Sequence, residues 1–248
     1  MRHQFFAFAG LVLSLPAVAS TMSLTGTLRD FSADSVNFEA SSYSSGVGYV
    51  ENVLSGSSPT LTALGASLIS NSGSGAFSNW FSNTTNSLAY SITLNETSPG
   101  IYSYSNNSFF PIDDQLLGNE GRSHNYHFTY SISAQFGYVA GAGQQFSFTG
   151  DDDVWVFFDK QLGIDLGGVH GAQTAAVDLD TLMSGKSSGN YSFDFFFAER
   201  HTTESNLMIT TSLLFSDPPV DVPEPGSLAL LGLALTGLAT LRMRRRAF

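Results

Sequence analysis

Tyr191-Ser192-Phe193-Asp194-Phe195-Phe196-Phe197-Ala198-Glu199 is the stretch on which the fold turns. Tyr191, Phe193, Phe195 and Phe197 fall on one side of an extended chain, and Ser192, Asp194, Phe196 and Ala198 on the other. A period of two is the spacing of a strand, not of a helix. Working outward, Gln145 to Thr149 alternates polar residues with Phe146 and Phe148. Val154 to Asp159 is a compact β-branched and aromatic run, and Leu207 to Phe215 reads as another strand. Turn-forming residues separate these runs. Together they predict an all-β protein, an antiparallel β-sandwich in which each strand gives one face to the core. Residues from about Ser41 to Asn107 are rich in Ser, Asn and Gly, with apolar runs such as Leu88 to Leu94. They predict short strands with long connections. No long amphipathic helix is evident outside the termini, and no period of about 20 to 50 residues repeats.

The composition fits this reading. Of 248 residues, 42% are hydrophobic, 21 are Phe and only 12% are charged, which is neither a disordered nor a coiled-coil composition. The absence of cysteine excludes a disulfide framework, thiolate metal sites and a Cys nucleophile. All 21 acidic residues lie between Asp30 and Glu224, whereas the central region holds only Arg29, Arg122, Lys160, Lys186 and Arg200 as fixed cations. Such a body repels phosphate backbones, so no nucleic-acid partner is expected; divalent cations and neutral polymers suit it better.

Both ends carry sorting information. Residues 1–19 read as a secretory signal peptide: a basic start at Arg2, an apolar run from Phe5 to Leu15, and Ala17-Val18-Ala19 at the cleavage position. A domain follows over 20–216, with a linker at 217–221. The tail, 222–248, has three parts in order. Pro223, Glu224 and Pro225 form a rigid extended stretch. Residues from about Gly226 to Leu241 are uncharged and apolar; as a helix they would span about 24 Å, slightly less than a ~30 Å hydrocarbon core. Arg242, Arg244, Arg245 and Arg246 follow and should stay cytoplasmic, leaving the body outside the inner membrane.

The segment richest in chemistry is Gly150-Asp151-Asp152-Asp153-Val154-Trp155-Val156-Phe157-Phe158. Three adjacent carboxylates repel one another, the more so when buried, and are tolerated if solvated or neutralised by a cation. Calcium takes six to eight oxygen ligands, and an acidic loop between strands supplies several. Asp151, Asp152 and Asp153 are therefore candidate ligands, with Asp165, Glu199 and Asn206 from neighbouring loops as further candidates. His124, His127, His170 and His201 lie in polar clusters, but a zinc site would need them drawn from distant loops and ranks below calcium. No nucleophile elbow and no phosphate-binding glycine loop appears.

Two resemblances add to this. The tail, with its Pro-Glu-Pro stretch, apolar segment and arginines, resembles the PEP-CTERM sorting signal of Gram-negative bacteria. That resemblance implies recognition by an exosortase, transient anchoring in the inner membrane, and a role in the cell envelope or in biofilm and exopolysaccharide. The body resembles the fibro-slime domain through Thr25–Phe31 (TGTLRDF), Phe109–Asp113, His124–Thr129, Gly150–Gly171 and Phe195–Asn206 (FFFAERHTTESN), in that family's order. The fibro-slime domain is similar to the PA14 group of β-sandwich modules, many of which bind sugars through calcium. In PA14-type lectins a consecutive Asp-Asp pair, often joined by a cis peptide, holds the ion, and it aligns with Asp151-Asp152. The chain departs from the fibro-slime pattern at Asp159-Lys160-Gln161, where an Asn-Gly-Lys turn is usual, and at Gly163.

Three functions are weighed on these grounds. A calcium-assisted carbohydrate-binding or adhesion module without catalysis leads, its partner an exopolysaccharide or other glycan. Trp80 and Trp155 are candidate sugar platforms, though Trp155, inside an apolar strand, reads first as core. A structural matrix protein with no small ligand is the rival. A glycoside hydrolase ranks last, because abundance of carboxylates is not a catalytic pair.

Overall fold

The structure, a computed structural model, describes residues 20–39, 45–82 and 85–217. The expected signal peptide, most of the linker, and the whole tail from Pro223 to Arg246 lie outside the described residues. The chain divides into two compact units, residues 1–217 and 218–248, and the first carries all the described elements. Among the described residues no helix is long and apolar enough to cross a membrane.

Eleven described strands form one antiparallel sheet: β1 (Thr21–Asp30), β2 (Ser87–Ser98), β3 (Ile101–Asn106), β4 (Phe128–Tyr138), β5 (Gln145–Gly150), β6 (Asp153–Phe158), β7 (Gln161–Leu166), β8 (Gln173–Asp178), β9 (Gly189–Glu199), β10 (Leu207–Thr211) and β11 (Phe215–Ser216). Among the described residues the helices are α1 (Ala63–Leu68), α2 (Leu179–Leu182) and a 3-10 turn at Phe77–Asn79. The strand order is β7-β6-β9-β4-β1-β2-β3-β10-β5-β8, with β11 also on β4. Strands near the two ends of this path face each other. The Phe146 ring of β5 lies 5.6 Å from Phe158 of β6 and 5.4 Å from Phe193 of β9, and Phe148 lies 5.7 Å from Phe195. The sheet thus folds over a shared aromatic core, the all-β sandwich that the period-two runs predict.

Each fully buried Phe contributes about 1.5–3 kcal/mol of burial. The inner core contains Phe193, Phe195 and Phe197 of β9 with Val154, Val156 and Phe158 of β6. The opposite faces of the same two strands are buried as well. Phe196 and Ala198 of β9, with Trp155 and Phe157 of β6, join a second cluster made with Phe31, Phe38, Tyr49, Phe77, Trp80 and Phe81. The expectation of one buried face per strand therefore fails for β6 and β9. The segment from Phe31 to Phe81, mostly loops among the described residues, lies over their outer side. It is tied down by backbone bridges from Gly46 to Gly167 and from Val53 to Gln161. A Cβ on Gly167 would come within 2.6 Å of the Tyr49 ring, so this close approach requires glycine. Strand β2, at 12 residues, is longer than the Ser- and Asn-rich composition predicts, while β3 is short, with six. Their polar positions are the solvent face, where Thr25 meets Ser91 at 2.8 Å and Ser103 meets Thr210 at 2.9 Å.

The departure at Asp159-Lys160 does not spoil the turn. Phe158 pairs with Gln161, so Asp159 and Lys160 form a two-residue hairpin loop, both with positive φ (49° and 66°), as a type I′ turn demands. One register shift follows between Val156 and Phe157, opposite Gly163, after which Trp155 pairs with Asp165.

Candidate functional site

Only Asp151 and Asp152 separate β5 from β6. Those strands are not neighbours: β5 sits between β10 and β8, and β6 between β9 and β7. The Asp-Asp pair is the link by which the chain crosses from one side of the sandwich to the other. Gly150 permits the crossing, since a Cβ there would lie 2.3 Å from the Asn206 carbonyl oxygen. Asp152 adopts φ 54°, a left-handed conformation that Asp tolerates better than most residues. No cis peptide occurs among the described residues, so the pair is joined by a trans bond.

All three aspartates of the turn are nearly inaccessible, at 3%, 3% and 0% exposure. Asp151 accepts from Asn206 twice, through the backbone N–H and, at 2.7 Å, the side-chain Nδ2. Asp152 accepts from the backbone N–H groups of His170 (3.1 Å) and Arg200 (2.8 Å). Asp153 takes the Gly168 N–H at 2.5 Å and the Arg200 Nε at 2.6 Å. Arg200 is itself buried; it also donates to the Asn37 carbonyl at 3.0 Å and lies 5.2 Å over the Trp80 ring. It ties the acidic turn to the covering segment.

Glu199, the last residue of β9, is 1% exposed. Of these four buried carboxyl groups, Asp153 is the one bonded to the buried Arg200 guanidinium among the described contacts. Burial, and next the charge of Asp153, pushes Asp152 up to about 7. Burial, then the charges of Asp152 and Asp151, raises Glu199 well above the usual carboxylate range. Asp151 is also raised, chiefly by burial. The Glu199 carboxyl faces Ser205 and Asp152, and His170 Nε2 is buried without a hydrogen-bond partner, which costs about 1–3 kcal/mol unless something satisfies it. Beside the pair opens a cleft of about 260 Å³ lined by Asp151, Asp152, His170, His201, Thr203 and Glu204.

Of the sequence candidates, the structure brings together Asp151, Asp152, Glu199 and Asn206, with Asp153 behind them as the partner of Arg200. Asp165 stands apart. Its carboxylate takes the Trp155 Nε1–H at 3.1 Å and the Gly48 N–H at 2.6 Å, within the outer cluster. Among the described residues no set of three or more His, Asp or Glu side chains forms a ready metal cage. The chemistry of the donors nevertheless suits calcium. They are hard oxygens, and calcium completes its shell readily with carbonyls, hydroxyls or water.

The histidines do not converge. His124 Nδ1 meets Asp113 at 2.6 Å, and His127 Nε2 meets Glu39 at 2.8 Å, while His170 and His201 border the cleft. Trp80 and Trp155 are both 0% exposed, so neither offers a platform to a sugar. They are core, with indole N–H groups bonded to the Gly75 carbonyl and to Asp165. The residue that sequence reasoning passed over is Arg200. Its signal was that it is one of only five fixed cations in an acidic body.

A β-sandwich whose crossover turn concentrates buried carboxylates is thus the class of module that this fold and site define. Residues 221–246 match the PEP-CTERM protein-sorting motif, which marks the chain for export and sorting to the cell envelope or surface. The body is homologous to psi proteins of Dictyostelium discoideum. It is 43% identical to protein psiQ over 164 residues (58% of this chain, 16% of psiQ) and 36% identical to protein psiD over 213 residues (78% of this chain, 42% of psiD). The chain spans well under half the length of these curated relatives. These matches bear out the resemblances of body and tail. Among solved structures, the chain is similar to the PA14 domain of the antifreeze protein MpAFP (TM-score 0.38, 10% identity, 85% of this chain and 98% of that one). It is also similar to a PA14 sugar-binding domain from an RTX adhesin (TM-score 0.28, 12% identity, 47% of this chain and 76% of that one).

Proposed function

We propose that the body is a non-catalytic, calcium-assisted carbohydrate-binding or adhesion module that works outside the cell after an exosortase has acted on its tail. The observation that carries this reading is the crowding of buried carboxyl groups at the crossover turn, where Asp151, Asp152 and Glu199 lie together and Asp153 pairs with Arg200, beside an open cleft. Each carboxylate oxygen of Asp151 and Asp152 carries two lone pairs, more than the bonds from Asn206, His170 and Arg200 use. A calcium ion at the cleft would take oxygens of this pair, relieve the repulsion and present open coordination positions to vicinal sugar hydroxyls. Hydrolysis is a poorer fit. It needs two carboxyls about 5–9.5 Å apart across a scissile bond, whereas Asp151 and Asp152 are neighbours in one wall. Membrane anchoring through 226–241 and the signal peptide belong to the same reading as steps of delivery.

Calcium calorimetry on the full chain in detergent micelles tests it. Binding by the wild type with loss in Asp151→Asn/Asp152→Asn is expected. Absence of binding in the wild type, or equal binding in the double variant, would overturn it. A second reading, a purely structural matrix protein, is favoured by one observation: the oxygens of the pair are already engaged by Asn206, His170 and Arg200. It predicts no sugar binding, any calcium serving only to stabilise the fold.

A further inference from the structure

A second and larger groove, about 610 Å³, adjoins the acidic cleft, and Thr203 and Glu204 line both. Its wall is aromatic. Phe110 and His124 stack at 4.0 Å with 8° between their planes, and Tyr126 meets both edge-on, at 5.0 Å and 5.9 Å. The wall is held from behind. Asp113 takes His124 Nδ1 at 2.6 Å and the Asn125 N–H at 2.7 Å, the Tyr126 hydroxyl meets Ser123 at 2.9 Å, and Phe110 packs partly on the inner core. Phe110 and His124 remain half-exposed, whereas Asn107 and Glu204 are exposed at the rim.

Resting on the carbohydrate reading of the neighbouring cleft, we infer that this groove is a second subsite, which takes the following residues of a neutral polysaccharide strand against the Phe110–His124 wall. Size points this way. The acidic cleft falls below the roughly 300–1,000 Å³ typical of small-molecule sites, and the groove falls within it. A single sugar fits the first, and the rest of a chain needs the second. The chemistry agrees. A pyranose has an apolar C–H face that packs on a ring and a hydroxyl edge that hydrogen-bonds to groups such as Asn107 and Glu204. A wall fixed before binding loses little conformational freedom on binding. Glu204 and Asp113 disfavour a polyanionic strand, so the ligand is neutral.

Ligand-observed NMR titrations of the full chain in micelles, with calcium, test this using glucose, mannose and their β-1,4-linked tetrasaccharides. For at least one sugar the tetrasaccharide binds ten or more times tighter than the monosaccharide. Phe110→Leu, which keeps apolar volume but removes the ring face, cuts this advantage below threefold while calcium and monosaccharide binding persist. Ser108→Trp, at an exposed groove position, does the same without touching the core. Equal affinity of monosaccharide and tetrasaccharide, or a full advantage retained in both variants, overturns the subsite and leaves the cleft reading intact. Calcium binding with no sugar bound overturns both.

Discussion

Glu39 and Asp152 are bound to the same short turn, two residues apart, yet their carboxyl groups behave oppositely. Glu39 accepts from Thr202 through its N–H (3.2 Å) and its hydroxyl (2.7 Å), and Asp152 accepts from the Arg200 N–H at 2.8 Å. Burial acts against both charges. At Glu39, hydrogen bonds from His127 and Thr202, with the charge of His201, outweigh burial and bring it down to about 2. At Asp152, burial and the charge of Asp153 win over Arg200, and it rises to about 7. The first region is balanced by its own protein groups and behaves as structure. The second is not, which is why an outside cation is proposed there.

Among the described residues Arg200 is the only guanidinium bonded to the acidic turn. Arg200→Met should cost about 3–5 kcal/mol, because it leaves the Asp153 carboxylate buried and unpaired; chemical denaturation at neutral pH measures it. Glu39→Gln should cost about 1.5–3 kcal/mol, the range for a hydrogen bond to a charged group. A depressed carboxylate contributes stability that is present above its unfolded value and lost as pH falls through its folded one. The Glu39 difference should therefore be full near pH 7, shrink below about 4.5 and vanish near 2, as denaturation curves at three pH values would show. Gly150→Ala should cost about 1–3 kcal/mol by overpacking. By displacing Asn206 from Asp151 it should also weaken calcium binding without removing any ligand. Unchanged calcium affinity in a folded Gly150→Ala protein would show that the geometry of the crossover does not matter.

Much of this was legible in the residues. The alternation of Tyr191 to Glu199 gave the strand and both its faces, and the run of three aspartates before an apolar strand located the acidic turn. The outer core was not legible, because the covering segment from Phe31 to Phe81 has no period and earns its burial only through contacts with distant β6 and β9. Asp165 shows a subtler limit. Counting back from the Asp159-Lys160 turn without interruption would put Asp165 opposite Val154, on the inner face. The irregularity at Gly163 shifts it by one residue, opposite Trp155, and so onto the other side. Arg200 was hidden because its carboxylate partner, Asp153, is 47 positions away in the chain.

Melting with calcium or with EDTA across pH 5 to 8 tests directly whether calcium supplies the positive charge that the acidic turn is proposed to lack. Asp152 titrates near 7 when folded and near 3.8 when unfolded. Between those values the folded chain holds more protons, so its stability in EDTA falls as pH rises from about 4 to 7. Asp30, raised by burial to about 6, acts in the same direction, and it has no part in the calcium increment. Calcium at about a hundred times its Kd should raise the melting temperature by about 5–10 °C at pH 8, with little effect at pH 5, where the proton already occupies the site. A calcium increment that is absent at pH 8, or equal at both pH values, would contradict the claim.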